Sequence, residues 1–121
     1  MAKVYKLKFY GKTYNVALGK AHYVNNGKVA VLMYTCTPKG KIKEDFGDLT
    51  VNIADSDLMA NDKDEQFIDT NNLGHDIVKW LVDNKIATDT GIYGFSGFCM
   101  YPLMTFSKEA LDGMVDLEQG E

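Results

Sequence analysis

Side chains able to do chemistry are few in this chain and far apart. Histidine occurs at His22 and His75, and cysteine at Cys36 and Cys99. A histidine beside a carboxylate would act as a general acid or base, and beside a cysteine it would activate a nucleophile. No local spacing assembles either pair, and both cysteines sit in apolar runs that favour an inert buried thiol. Two cysteines without CxxC or His-rich spacing also make neither a zinc site nor a disulfide scaffold. The acids Asp55, Asp57, Asp62, Asp64 and Glu65 are dense in the oxygen donors that a hard cation takes. A calcium loop, however, needs carboxylate-type ligands where Met59 and Gln66 stand, and its glycine is missing. Gly91, Gly94 and Gly97 recur every third residue, as in loops that cradle phosphate, but no Lys and Ser/Thr follow them. The expectation is therefore no metal, no cofactor and no catalytic constellation. A small enzyme using His22 or His75 with a carboxylate is the lesser alternative.

Surfaces offer more than single residues do. All 13 basic residues are lysines, and the net charge of −4 conceals a strong asymmetry. Residues 1–43 carry nine lysines and no acid, whereas residues 44–76 carry ten acids and only Lys63. Lys3, Lys6, Lys8, Lys12 and Lys20 would form a strip able to track a nucleic-acid backbone, although the lack of arginine weighs against reading bases. Asp55, Asp57, Asp62, Asp64 and Glu65 would instead present an acidic surface to a basic protein. A third reading pairs basic strands with acidic ones, so that the two blocks neutralise each other. Tyr93, Phe95, Phe98 and Tyr101 crowd a short glycine-broken segment, and both core packing and a partner interface account for them.

The elements that would position these groups follow from periodicity. The chain has 121 residues, 45% hydrophobic and 25% charged, which fits one globular domain spanning residues 1–121. Val4 to Tyr10 alternates with period two, and Gly11 and Lys12 suit a hairpin turn into Thr13 to Leu18. Ala21 to Val24, followed by Asn25, Asn26 and Gly27, signals a second hairpin. Val29 to Cys36 is nearly continuously apolar, as in a central strand, and Phe46 to Ile53 alternates again. Residues 54–66 read as an acidic surface connector. Leu73, Ile77, Trp80 and Leu81 recur at helical spacing after the capping residues Thr70, Asn71 and Asn72, predicting one main helix over 72–85 with its Trp80 stripe against Tyr5, Leu7 and Phe9. Residues 98–106 read as a last strand, which Pro102 pushes towards a sheet edge or a bulge. Ser107 would cap a short helix reaching Met114, and residues 115–121 would fray. The fold class is α+β: an antiparallel twisted sheet of five or six strands with the helix packed on one face.

Three blocks carry a resemblance: Leu49 to Ile53 (LTVNI), Phe67 to Asn72 (FIDTNN) and Thr90 to Leu103 (TGIYGFSGFCMYPL). In these the chain resembles a family of short uncharacterised proteins carried on phages, plasmids and conjugative elements of low-GC bacteria, with the basic N-terminal third outside the match. Lysine in place of arginine and eight asparagines agree with an AT-rich coding sequence. No activity comes with the family, but the resemblance implies a setting. Accessory proteins of mobile elements include inhibitors that blunt host CRISPR and restriction nucleases.

The resulting expectation is a non-enzymatic, cytoplasmic binding protein in a bacterial host cell. It would inhibit a defence nuclease, as anti-CRISPR and anti-restriction proteins do, by protein binding through Asp55, Asp57, Asp62, Asp64, Glu65, Tyr93 and Phe95. The alternative is a nucleic-acid accessory protein using the N-terminal lysine face. The N-terminus lacks a signal-peptide core and no apolar run reaches the ~20 residues of a membrane span, so no membrane partner is expected.

Overall fold

The computed structural model describes residues 3–23, 27–53 and 64–118. It contains two sheets where the hydrophobic pattern suggested one. The first joins β1 (Tyr5–Phe9), β2 (Lys12–His22), β3 (Val29–Cys36) and β4 (Ile42–Asp48) in that order, all antiparallel. The second runs β5 (Thr50–Val51), β6 (Glu65–Ile68), β8 (Cys99–Phe106) and β7 (Ala87–Ser96). The α+β class holds, while the single-sheet expectation is corrected: the bulged, charged β4 ends at Asp48, and β5 starts the other sheet.

Leu49 is the hinge between the sheets. Its N–H donates to the Val31 carbonyl, its carbonyl accepts from Asp69, and Thr50 Oγ1 accepts from Val31 N–H. One core fills the space between the sheets, with Tyr5, Leu7, Val16, Leu18, Val31 and Met33 meeting Ile68, Met104 and Phe106. Apolar burial of this kind contributes about 25 cal/mol per Å² and is the main source of stability.

The helix expected over 72–85 is two pieces, α1 (Thr70–Leu73) and α2 (Asp76–Asp83). Gly74 separates them with φ +83, a conformation that ends a helix. Asp69 caps α1, its carboxylate accepting from Asn72 N–H and Nδ2. Ile77 and Leu81 of α2 are buried in the shared core, and the Trp80 ring meets Tyr5 edge-on at 5.9 Å. Ser107 caps α3 (Lys108–Asp112) by accepting from Ala110 N–H.

Three local expectations change. The first hairpin turns at Tyr10 and Gly11, both with positive φ as a type I′ turn requires, one residue earlier than the Gly11–Lys12 reading. Glu65 and Gln66, read as the end of the connector, begin β6, and its fully buried Gln66 accepts from Phe67 N–H. Residues 115–118 do not fray: β9 (Val115–Asp116) pairs parallel to β2, Leu117 packs over Gly19, and Glu118 binds His22. Val24, Asn25 and Asn26 of the second hairpin, and most of the acidic connector, lie outside the described residues.

Candidate protein-binding face

The glycine-rich segment 90–98, read from sequence as a loop, is most of a β-hairpin. β7 and β8 pair from Ala87↔Phe106 out to Ser96↔Cys99, leaving Gly97 and Phe98 as a two-residue turn. Gly97 has φ +60, the first-position requirement of a type II′ turn. Each glycine of the motif has its own task. Gly91, at φ +80, sits in a bulge where Asp89 Oδ1 accepts from Gly91 N–H and Thr90 Oγ1 accepts from Ile92 N–H. Thr90 also donates to the Leu103 carbonyl, tying the bulge to β8. Gly94 carries no side chain because Phe67 occupies the space, with ring carbon Cε1 2.5 Å from where a Cβ would stand.

Alternation along this hairpin divides the aromatics. Tyr101 and Leu103 face inwards with Phe67 and Ile53 in a second, smaller core. Burial and the neighbouring Cys99 act on Tyr101: first a hydrogen bond with that thiol, then desolvation, raises its phenol above the usual value. Tyr93 and Phe95 face the other way, with Phe95 opposite Met100. Phe95 is 66% exposed, Phe98 at the turn is fully exposed, and Ile92, Tyr93 and Met100 are also exposed. Single exposed apolar side chains are ordinary, but five on one hairpin form a patch of the kind that marks an interaction site. Sequence reasoning named Tyr93 and Phe95 and missed Ile92 and Met100. The signal was the turn at Gly97 and Phe98, which reverses the period-two pattern and brings position 100 onto the face of 95.

Of the acids, Glu65 lies on β6 of the same sheet and Asp64 immediately precedes it. Asp55, Asp57 and Asp62 lie outside the described residues, but the chain leaves at Ile53, against Gly94 and Phe67, and returns at Asp64. The Asp64 main-chain carbonyl accepts from Phe106 N–H at the base of β8, and the Glu65 carboxylate accepts from Thr105 Oγ1. Asp64 and Glu65 thus share a sheet with the aromatic candidates.

The lysines do not form one strip. Lys6 and Lys8 point away from the core on β1, whereas Lys12 and Lys20 alternate to the core side of β2. Lys3 and Lys12 lie over the rings of Tyr5 and Tyr14, at 5.2 Å and 5.4 Å. Glu44, Asp45 and Asp48 sit on β4, at the opposite edge of that sheet from Lys6 and Lys8, so among the described residues strand pairing does not bring these acids against those lysines.

His22 does meet a carboxylate. Its Nδ1 lies 2.9 Å from Glu118 Oε1, and its main-chain N–H donates to Oε2 of the same group. Both side chains are about half exposed, and the geometry fastens the 115–118 segment to β2. His75 lines an open groove beside Trp80, Leu73 and Tyr10. Cys36 is buried, and desolvation pushes its thiol up, away from the reactive thiolate. Pro102 is buried in β8 opposite Tyr93, one residue past the last partner of β6. The strand is central, but at that point it has a neighbour on one side only, as the proline requires. Among the described residues, no helix is long and apolar enough to cross a membrane.

Two packed sheets with a projecting aromatic hairpin define a small α+β domain. The chain belongs to the family described as Domain of unknown function (DUF4313), whose model matches residues 17–118. That match reaches back into β2, further than the three sequence blocks suggested. No curated protein and no solved structure matches the chain.

Proposed function

We propose that this chain is a non-catalytic protein-binding domain that docks through the exposed face of the β7–β8 hairpin. The observation that carries the reading is the outward set Ile92, Tyr93, Phe95, Phe98 and Met100 on a hairpin anchored from behind by Phe67 and Tyr101. Rigid aromatics held by a packed second layer lose little entropy on binding, and such residues dominate interface energetics. Asp64 and Glu65 supply charge on the same sheet that would steer a basic partner there, and Asp55, Asp57 and Asp62 of the intervening sequence belong to the same proposed acidic surface. The mobile-element setting implied by the resemblance makes that partner a host defence nuclease, with the chain as its inhibitor. The lysine face is the less supported route, since its five residues divide between two sides.

The test is plasmid transformation into a host with an active CRISPR or restriction system. Expression of the chain should raise the number of transformants, and the double variant Tyr93→Ala and Phe95→Ala should remove that rise. An unchanged transformation frequency against a panel of such systems, with the folded protein present, refutes the inhibitor reading.

A further inference from the structure

Among the described residues five strands bound the two sheets on their outer sides, β1, β9, β4, β5 and β7, and the first four are guarded against pairing. β1 carries Lys6 and Lys8, and its Lys6 carbonyl already accepts from Trp80 Nε1. β4 carries Lys43, Glu44, Asp45 and Asp48 and two register shifts. β5 and β9 are each two residues long, and β9 carries Asp116. Charge, bulges and shortness are the usual protections of an exposed edge. The outer half of β7 starts beyond the bulge at Gly91, pairs in regular register with β8 from Tyr93 to Ser96, and carries no charge, since no charged residue occurs between Thr90 and Ser107.

The ladder also fixes which groups face outwards. A two-residue turn makes Ser96 and Cys99 a hydrogen-bonded pair, so Gly94 bonds towards β8 while Tyr93 and Phe95 turn their N–H and C=O groups to the outer edge, where no described strand pairs. The triplet Tyr93, Gly94, Phe95 is symmetric in kind about its centre. We infer that a second copy of this chain pairs antiparallel with β7 about a two-fold axis at Gly94. Tyr93 then stands opposite Phe95 of the other copy and Phe95 opposite its Tyr93, giving two aromatic cross-strand pairs and four main-chain hydrogen bonds. The uncharged hairpin lets two chains of net charge −4 meet without placing like charges at the contact. An axis normal to the sheet puts both aromatic faces on one side, doubling the platform proposed above for a partner. The pairing does not depend on that partner.

The experiment uses the purified full chain alone, so its outcome is separate from that of the transformation assay. Sedimentation equilibrium from micromolar to millimolar concentration should show a species of twice the 13.5 kDa chain mass. Amide hydrogen exchange should show protection at Tyr93 and Phe95 that rises with concentration, a readout that face stacking would not produce and that needs no variant. Phe95→Lys, which restores a guard charge to the edge, should return the chain to monomer mass. A monomer throughout the range, or a dimer in which those two amides exchange freely, overturns the inference.

Discussion

Gly94 gives the sharpest test of how the hairpin is held. Its φ lies outside the left-handed region, so alanine meets no backbone strain there and the effect of a substitution is one of packing alone. A Cβ built on Gly94 stands 2.5 Å from Cε1 and 2.8 Å from Cζ of Phe67, and 3.0 Å from Cδ1 of Ile53. Phe67 is fully buried in β6, so its ring has little room to withdraw. Overpacking of this kind costs about 1–3 kcal/mol, and the stiffer unfolded chain of an alanine variant offsets about 0.4–1 kcal/mol of it. The net expectation for Gly94→Ala is a destabilisation of about 1–2 kcal/mol. With ~2.1 cal/mol/K of unfolding entropy per residue, that lowers the melting midpoint by about 4–8 °C. Thermal unfolding by circular dichroism reads the shift. Phe67→Leu removes the ring carbons responsible, so the pair of substitutions should be less destabilising than the sum of the two by about 1 kcal/mol. A neutral Gly94→Ala, or strict additivity with Phe67→Leu, would refute the packing argument.

Other outcomes follow from the same geometry. Phe95→Ala removes a largely exposed ring and should leave stability within about 0.5 kcal/mol of the parent by urea titration, while abolishing the transformation effect. Trp80→Phe keeps the ring contact with Tyr5 but deletes the 2.6 Å hydrogen bond to the Lys6 carbonyl, costing about 0.5–1.5 kcal/mol by the same titration. Glu118 is held below the usual carboxylate range, first by its hydrogen bond with the His22 side chain and then by the His22 N–H. A carboxyl lowered in the folded state favours docking above its unfolded value and loses that contribution as pH falls through the folded one. Exchange protection of the Leu117 amide, which donates to Lys20, should therefore weaken as pH drops below about 4, and Glu118→Gln should flatten the dependence.

Much of the strand content was legible, for physical reasons that differ by element. Val29 to Cys36 forms β3 with the predicted bounds because a short, β-branched apolar run bounded by Pro38 and Gly40 suits a central strand, although its second face, at Leu32 and Tyr34, is only half-buried. The Trp80 stripe marked α2, but the break at Gly74 was hidden, since Leu73 keeps helical spacing with Ile77 across it. Glu65 and Gln66 read as connector because they are polar; tertiary pairing of β6 with β8 overrides their composition. The hairpin was mistaken for a loop because glycine lowers strand propensity, whereas here one glycine makes the turn, one the bulge, and Gly94 the clearance for Phe67. Tyr93 and Phe95 were identifiable from type and crowding. Their outward direction needed the register of β7 against β8, which composition does not contain.

The parallel contact between β9 and β2 has a consequence for biosynthesis. His22 waits for a partner that lies 96 positions later in the chain. At the usual ~5–20 residues per second of synthesis, that is an interval of roughly 5–20 s. Throughout it the main chain of β2 at Gly19 and Lys20 stands open beside a groove that Leu117 will fill. A product that stops short of residue 115 never closes that gap, and it carries into the cell an exposed strand segment that the finished protein conceals.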